Sequence, residues 1–191
     1  ASLSVFADQQ TNLNLWGSYH MPPSYFQSFN SAFIIIFAPI FAWIWIKMGK
    51  HQPSSPYKMG IGLLLLALGY LWIAYGVKDL SVTSKVSIIW LTGLYLLHTW
   101  GELCLSPIGL SMVTKLAPVR LVGLGMGGWF LSTGIGNNLS GIFAGHVSGE
   151  GGMTTASALS GYTFGFWALL GAGVVLFLIA PLVQKLVHGV K

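Results

Sequence analysis

Apolar residues in this chain come in blocks of about twenty, and that block length decides what the chain can fold into. About twenty residues of α-helix rise roughly 30 Å, the thickness of the hydrocarbon layer of a bilayer. Five such blocks run over residues 26–45, 59–77, 86–117, 121–147 and 162–187, and a shorter, more polar stretch over 1–18 reads as the end of a further helix truncated at its start. Breakers stand between them: Pro22-Pro23, Pro53 and Pro56, Lys78-Asp79, Pro118 and Gly149-Glu150-Gly151-Gly152. Charged residues make up only 7% of the 191, against about 25% in soluble domains. The blocks lack the apolar–polar alternation of barrel strands. The expected fold class is an all-α integral membrane protein, a single transmembrane helical domain over 1–191 with the lipid bilayer as its solvent.

The net charge of +5 does not point to nucleic acid, because the basic residues lie in short loops and form no stripe. Their distribution orients the bundle instead. Lys47, Lys50, Lys58, Lys115, Arg120, Lys185 and Lys191 fall in alternate connections and the tail, leaving only Lys78 and Lys85 elsewhere. A multi-pass protein of the cell (inner) membrane with a cytoplasmic C-terminus is expected. Trp16, Tyr19, Tyr25, Trp45, Tyr57 and Trp90 near block ends suit interfacial belts. Cys104 is the only cysteine, so no intrachain disulfide forms. The chain begins at Ala1 without a basic n-region, which suits a cleaved precursor or a piece of a longer chain better than a signal peptide.

Residues that do not belong in lipid carry the functional signal. Glu102 lies near the middle of its block. A charged carboxylate at that depth costs about 2.5–3.5 kcal/mol on insertion scales, and such groups face a bundle interior or a watery cavity on a substrate or proton path. The competing reading is a protonated acid acting as interhelical glue. Five residues on, Pro107 removes a backbone donor, and a weakened helix with a mid-membrane carboxylate is the pattern of a transporter site. His98, four residues earlier, shares a helix face with Glu102 and is a candidate proton relay, with an unperturbed pKa of about 6.5. Asp8, in Asp8-Gln9-Gln10, is either a solvated loop acid or a second proton carrier. The Asn30 amide can both donate and accept, which suits a peptide bond as well as a structural hydrogen bond.

Other matches are discarded. Gly123-x-Gly125-x-x-Gly128 follows no strand and lacks the downstream acid of a dinucleotide site. Asn138-Leu139-Ser140 lies at bilayer depth. No nucleophile–base pair or metal-ligand spacing is present, so no enzyme, cofactor or metal site is expected.

The run Gly101-Glu102-Leu103-Cys104-Leu105-Ser106-Pro107-Ile108-Gly109 strongly resembles a signature of the proton-dependent oligopeptide transporter family, members of the major facilitator superfamily. Phe26-Gln27-Ser28-Phe29-Asn30 with Ala38-Pro39-Ile40 looks like that family's eighth helix, Asp8-Gln9-Gln10 resembles its seventh, and Trp129-Phe130-Leu131-Ser132 its eleventh. The resemblance implies the C-terminal six-helix half of a major facilitator fold, its first helix truncated. It further implies proton-coupled symport of di- and tripeptides by alternating access. Glu102 would bind the peptide amine, Asn30 its backbone, Ser106 would lie beside the site, and Trp129 and Phe130 would line a side-chain pocket. Asp8 and Glu102 would couple protons. The N-terminal half of the same transporter would be the partner, supplying the cation for the peptide carboxylate. Three departures from the family pattern are an aspartate at Asp8, Ser31 in place of a proline, and Ser4 in place of a tryptophan. A related facilitator for nitrate or a larger conjugate, and a non-transporting membrane subunit, remain alternatives.

Overall fold

The computed structural model describes residues 2–15, 19–78, 86–148 and 151–187. Six helices dominate: α1 Ser2–Gln10, α2 Tyr25–Met48, α3 Ser55–Val77, α4 Ile88–Leu116, α5 Val122–Ser148 and α6 Thr155–Leu186. Helix α1, at nine residues, spans only about 13 Å. The two-residue strands β1 (Thr11–Asn12), β2 (Asn14–Leu15), β3 (Tyr19–His20) and β4 (Val86–Ser87) tie the connections at one end of the bundle. Strand β1 pairs parallel with β4, and β2 antiparallel with β3, which satisfies backbone groups that the helices cannot.

Helices α2, α3, α4 and α6 are long and apolar enough to cross a membrane. Helix α5 has the length, at 27 residues, but its glycines and Ser132, Thr133, Asn137, Asn138 and Ser140 dilute its apolar character. With Ile35 and Leu178 each 75% exposed, the outer faces suit lipid rather than water. The chain is a multi-pass membrane protein.

Helix boundaries differ from the hydropathy blocks where local chemistry overrides composition. Helix α3 starts at Ser55, with Pro56 in its first turn, where a missing N–H costs nothing; Pro56 is therefore a helix start and not a breaker. Helix α6 starts seven residues before the apolar block, because Thr154 and Ser157 form a reciprocal capping box. Helix α1 stops at Gln10 and does not run through to residue 18; Trp16 lies outside the described residues.

Helix α3 packs along α4 on one side and α6 on the other, while α2 lies against another face of α4. Gly62, Gly69 and Gly76 recur every seven residues on the side of α3 that meets α4. A Cβ at Gly62 would lie 2.8 Å from the Gly101 carbonyl oxygen, and one at Gly76 would lie 2.6 Å from the Trp90 ring. Small residues that let backbones approach are what hold membrane helices together in the absence of a hydrophobic drive. The buried core, including Phe6, Phe26, Ile73, Leu91, Leu94, Val147 and Tyr162, collects at the end where the strands lie.

Gly62→Val in the full-length protein is expected to cost about 1–3 kcal/mol through overpacking, read as a clear fall in the apparent melting temperature in detergent. Gly171→Ala, where a Cβ meets open space, is the matched control and is expected to leave that temperature unchanged or slightly raised.

Candidate functional site

Glu102 is the central residue of α4, with fourteen helical residues on either side of it. Its side chain is exposed on the open face of the bundle, where it lines a cavity of about 420 Å³ with Leu3, Asn30, Leu66, Tyr95, His98 and Ser106. The predicted residues Asn30, His98, Glu102 and Ser106 are thus brought together by α2 and α4. Tyr95, His98, Glu102 and Ser106 share one side of α4 because they are spaced by three or four residues. Pro107, one position beyond Ser106, leaves the Leu103 carbonyl without its helical donor.

Asn30 links the two helices. Its Nδ2 donates to Glu102 Oε2 at 3.2 Å and to Thr99 Oγ1 at 3.1 Å. The Thr99 hydroxyl in turn donates to the Tyr95 carbonyl at 2.7 Å, so its oxygen is left to accept from Asn30. The amide is therefore aimed by a fully buried threonine, a residue the sequence reading passed over. Its one signal is the i, i+3 spacing to Glu102 inside an otherwise apolar turn. The carboxylate is exposed to the cavity and, among the described residues, held by one neutral donor. It can take a second hydrogen-bond donor or a cation on its free side.

His98 serves a different surface. Its ring packs edge-on against Tyr70 at 4.8 Å between centroids and lies over Gly69 of α3, with its Nε2 buried against that helix. The imidazole borders the cavity while its outer nitrogen faces α3, away from Glu102. Asp8 is exposed near the C-terminal end of α1. Helix α1 contributes Leu3, and not Asp8, to the cavity lining. The neighbouring Gln9 and Gln10 grip the Met153 backbone, Gln9 Oε1 accepting from its N–H at 2.9 Å and Gln10 Nε2 donating to its carbonyl.

Trp129 lies in a second, apolar cavity of about 480 Å³ with Met59, Gly109, Met112 and Leu116, where its ring covers Gly109. Gly109 is one turn beyond Ser106 and Leu105 on the same side of α4, so the two cavities follow each other along one helix face. Phe130 is 61% exposed and lines neither. The glycines at 123, 127 and 128 meet open space, and only Gly125 approaches α4, through Val113. Among the described residues no three metal-ligating side chains converge.

The profile of the POT family matches residues 1–156. The chain belongs to the POT family. It is 37% identical over 188 residues to an uncharacterized transporter of Bacillus subtilis, YclF, covering 98% of this chain and 37% of that protein. It is 42% identical over 153 residues to the peptide transporter YePEPT of Yersinia enterocolitica, covering 78% of this chain and 30% of that one. A crystal structure of a peptide transporter POT in complex with sulfate superposes with a TM-score of 0.85 at 38% identity, over 96% of this chain and 36% of the solved one. A POT family transporter in complex with 5-aminolevulinic acid gives a TM-score of 0.80 at 29% identity, over 94% of this chain and 36% of that one. These relatives are transporters and not enzymes, and the chain spans about a third of their length.

Asn30→Ala and Glu102→Ala are expected to be non-additive in the full-length protein, with a coupling of about 0.5–1.5 kcal/mol. A double-mutant cycle on thermal unfolding in detergent measures it; additive losses would show that the Asn30–Glu102 contact carries no energy.

Proposed function

We propose that the full-length protein is a proton-coupled symporter of di- and tripeptides that works by alternating access, with this chain supplying the C-terminal half of the binding cavity. The observation that supports this most directly is the cavity-facing carboxylate of Glu102 at the centre of a membrane helix, which among the described residues accepts from the Asn30 amide alone. A peptide ammonium is a stronger partner for that carboxylate than an amide. Its arrival displaces Asn30 Nδ2 from Glu102, and the freed amide then reads the peptide backbone, still aimed by Thr99. Ser106 lies one turn further along the cavity wall. Trp129, in the adjoining apolar cavity, packs against a substrate side chain, and Phe130 closes that side when the halves of the transporter meet.

The peptide carboxylate requires a cation. The described cavity lining contains no lysine or arginine, and in this reading the N-terminal half provides it. Proton coupling falls to Glu102, whose protonation releases the ammonium, and to Asp8, which acts at the gate end of α1 and not in the cavity itself. His98 tunes the site from behind, through its packing on α3. The basic ends of α2, α4 and α6 face the cytoplasm of the cell's inner membrane. The peptide-transporting relatives and the peptide transporter structures support this substrate class.

Uptake of a labelled dipeptide into liposomes carrying the full-length protein, with an imposed pH gradient, tests the reading. Glu102→Gln is expected to abolish gradient-driven accumulation while leaving the protein folded. Accumulation by that variant with unaltered pH dependence would remove Glu102 from the coupling. Competition by nitrate but not by unlabelled dipeptides would favour a related facilitator with another cargo.

A further inference from the structure

Helix α4 contains Gly93, Gly101 and Gly109, and each meets a different kind of neighbour. At Gly101 a Cβ would lie 2.8 Å from the Gly62 carbonyl oxygen, a backbone approach that holds α3 and α4 together. At Gly93 it would meet the Trp72 indole, whose Nε1 donates to the Trp90 carbonyl at 2.8 Å and is fixed by that bond. At Gly109 the three nearest atoms are all at the tip of the Trp129 ring, with Cζ2 2.7 Å away and Cζ3 and Cη2 closer still. Gly109 is buried beneath that ring. Its missing side chain makes room for an indole and not for a backbone.

The place of this contact gives it a bearing on the substrate. Gly109 is seven residues beyond Glu102, about 10 Å along α4 and about 20° around it. Both therefore stand on the same side of the helix. The cavity of about 480 Å³ that Trp129 shares with Met59, Met112, Val113 and Leu116 lies at Gly109. Those side chains are uncharged and almost wholly apolar, so what the cavity takes from a ligand is apolar. With a peptide ammonium on Glu102, the Cα of the second residue lies about 5 Å along an extended backbone. A long side chain on that residue covers the remaining distance, and a methyl group does not. A Cβ at position 109 would push the ring tip off the helix and into that same space.

We propose that Gly109 is a specificity-determining residue, an inference that rests on the peptide reading above. By seating the Trp129 ring against α4, it keeps the adjoining cavity deep enough for a large apolar side chain on the second residue of a dipeptide. The indole then forms one wall of the cavity. The flexible thioethers of Met59 and Met112 adapt to the aromatic or branched group placed beside them. Gly109 sets the upper size of that group without touching it.

The test measures initial rates of gradient-driven uptake of Ala-Ala and Ala-Phe into liposomes carrying the full-length protein. The readout is the KM for Ala-Phe divided by that for Ala-Ala. Gly109→Ala is expected to raise this ratio about tenfold or more, the discrimination that crowding an apolar pocket supplies. Adding Trp129→Phe, whose smaller ring accommodates the new methyl group, is expected to return the ratio toward that of the wild type. Gly171→Ala, on α6 and outside the cavity lining, is expected to leave it unchanged. An equal rise in both KM values, or a fall in the maximal rate alone, makes Gly109 a packing residue and overturns the proposal. Should Gly109→Ala fail to fold, Trp129→Phe alone carries the test. It opens space over Gly109 and is expected to favour Ala-Trp over Ala-Phe relative to the wild type; an unchanged preference overturns the proposal. Uptake of neither dipeptide by the wild-type protein would instead overturn the peptide reading, and this proposal with it.

Discussion

Close backbone approach between α3 and α4 underlies most of what this chain builds. In a bilayer there is no hydrophobic drive to bring helices together, so contact depends on fit. Gly62, Gly69 and Gly76 supply a groove into which α4 settles, bringing the Gly101 carbonyl, the His98 ring and the Trp90 ring against the α3 backbone. Held that way, α4 turns its other faces outward: toward α2 at Thr99 and Trp100, toward α5 at Gly109, and toward the open cavity at Glu102. The orientation of the carboxylate is therefore a consequence of packing on the adjoining flank.

The site itself is economical. One amide, steadied by one hydroxyl, is the only described hydrogen-bond donor to the mid-membrane carboxylate. A fully satisfied acid would have little to offer a ligand, and an acid with no partner would be costly to keep ionised. The half-satisfied state lies between these limits and favours exchange of the amide for a stronger donor. The division of aromatic residues follows the same logic. Tyr70, Tyr162 and Phe6 pack into the strand end of the bundle, which makes that end compact. The other end carries the lysines and the Trp129 cavity.

Much of the architecture was legible in the residues. Block lengths of about twenty mark the spanning helices, and the isolated glutamate among them marks the functional helix, because both follow from the energetics of one solvent. Helix starts were less legible. The first turns of α3 and α6 are made of Ser55, Pro56, Thr155 and Ser157, whose helical character depends on caps and fixed φ and not on hydropathy. Thr99 went unnoticed because a threonine in an apolar helix ordinarily returns its hydroxyl to its own backbone. Here it does so and still presents its oxygen to α2.

By itself the sequence determined that the chain crosses a membrane several times, which end carries the positive charge, and that a carboxylate stands at mid-depth. Each of these depends only on composition along one dimension. The tertiary structure alone decided which groups face one another. It set Asn30 on Glu102, turned the outer nitrogen of His98 toward α3, kept Asp8 out of the cavity, and buried Lys58 beside Gln52 and Trp45. The reason is geometric: a helix repeat assigns a residue to a side, but only the packing of neighbouring helices decides what that side meets.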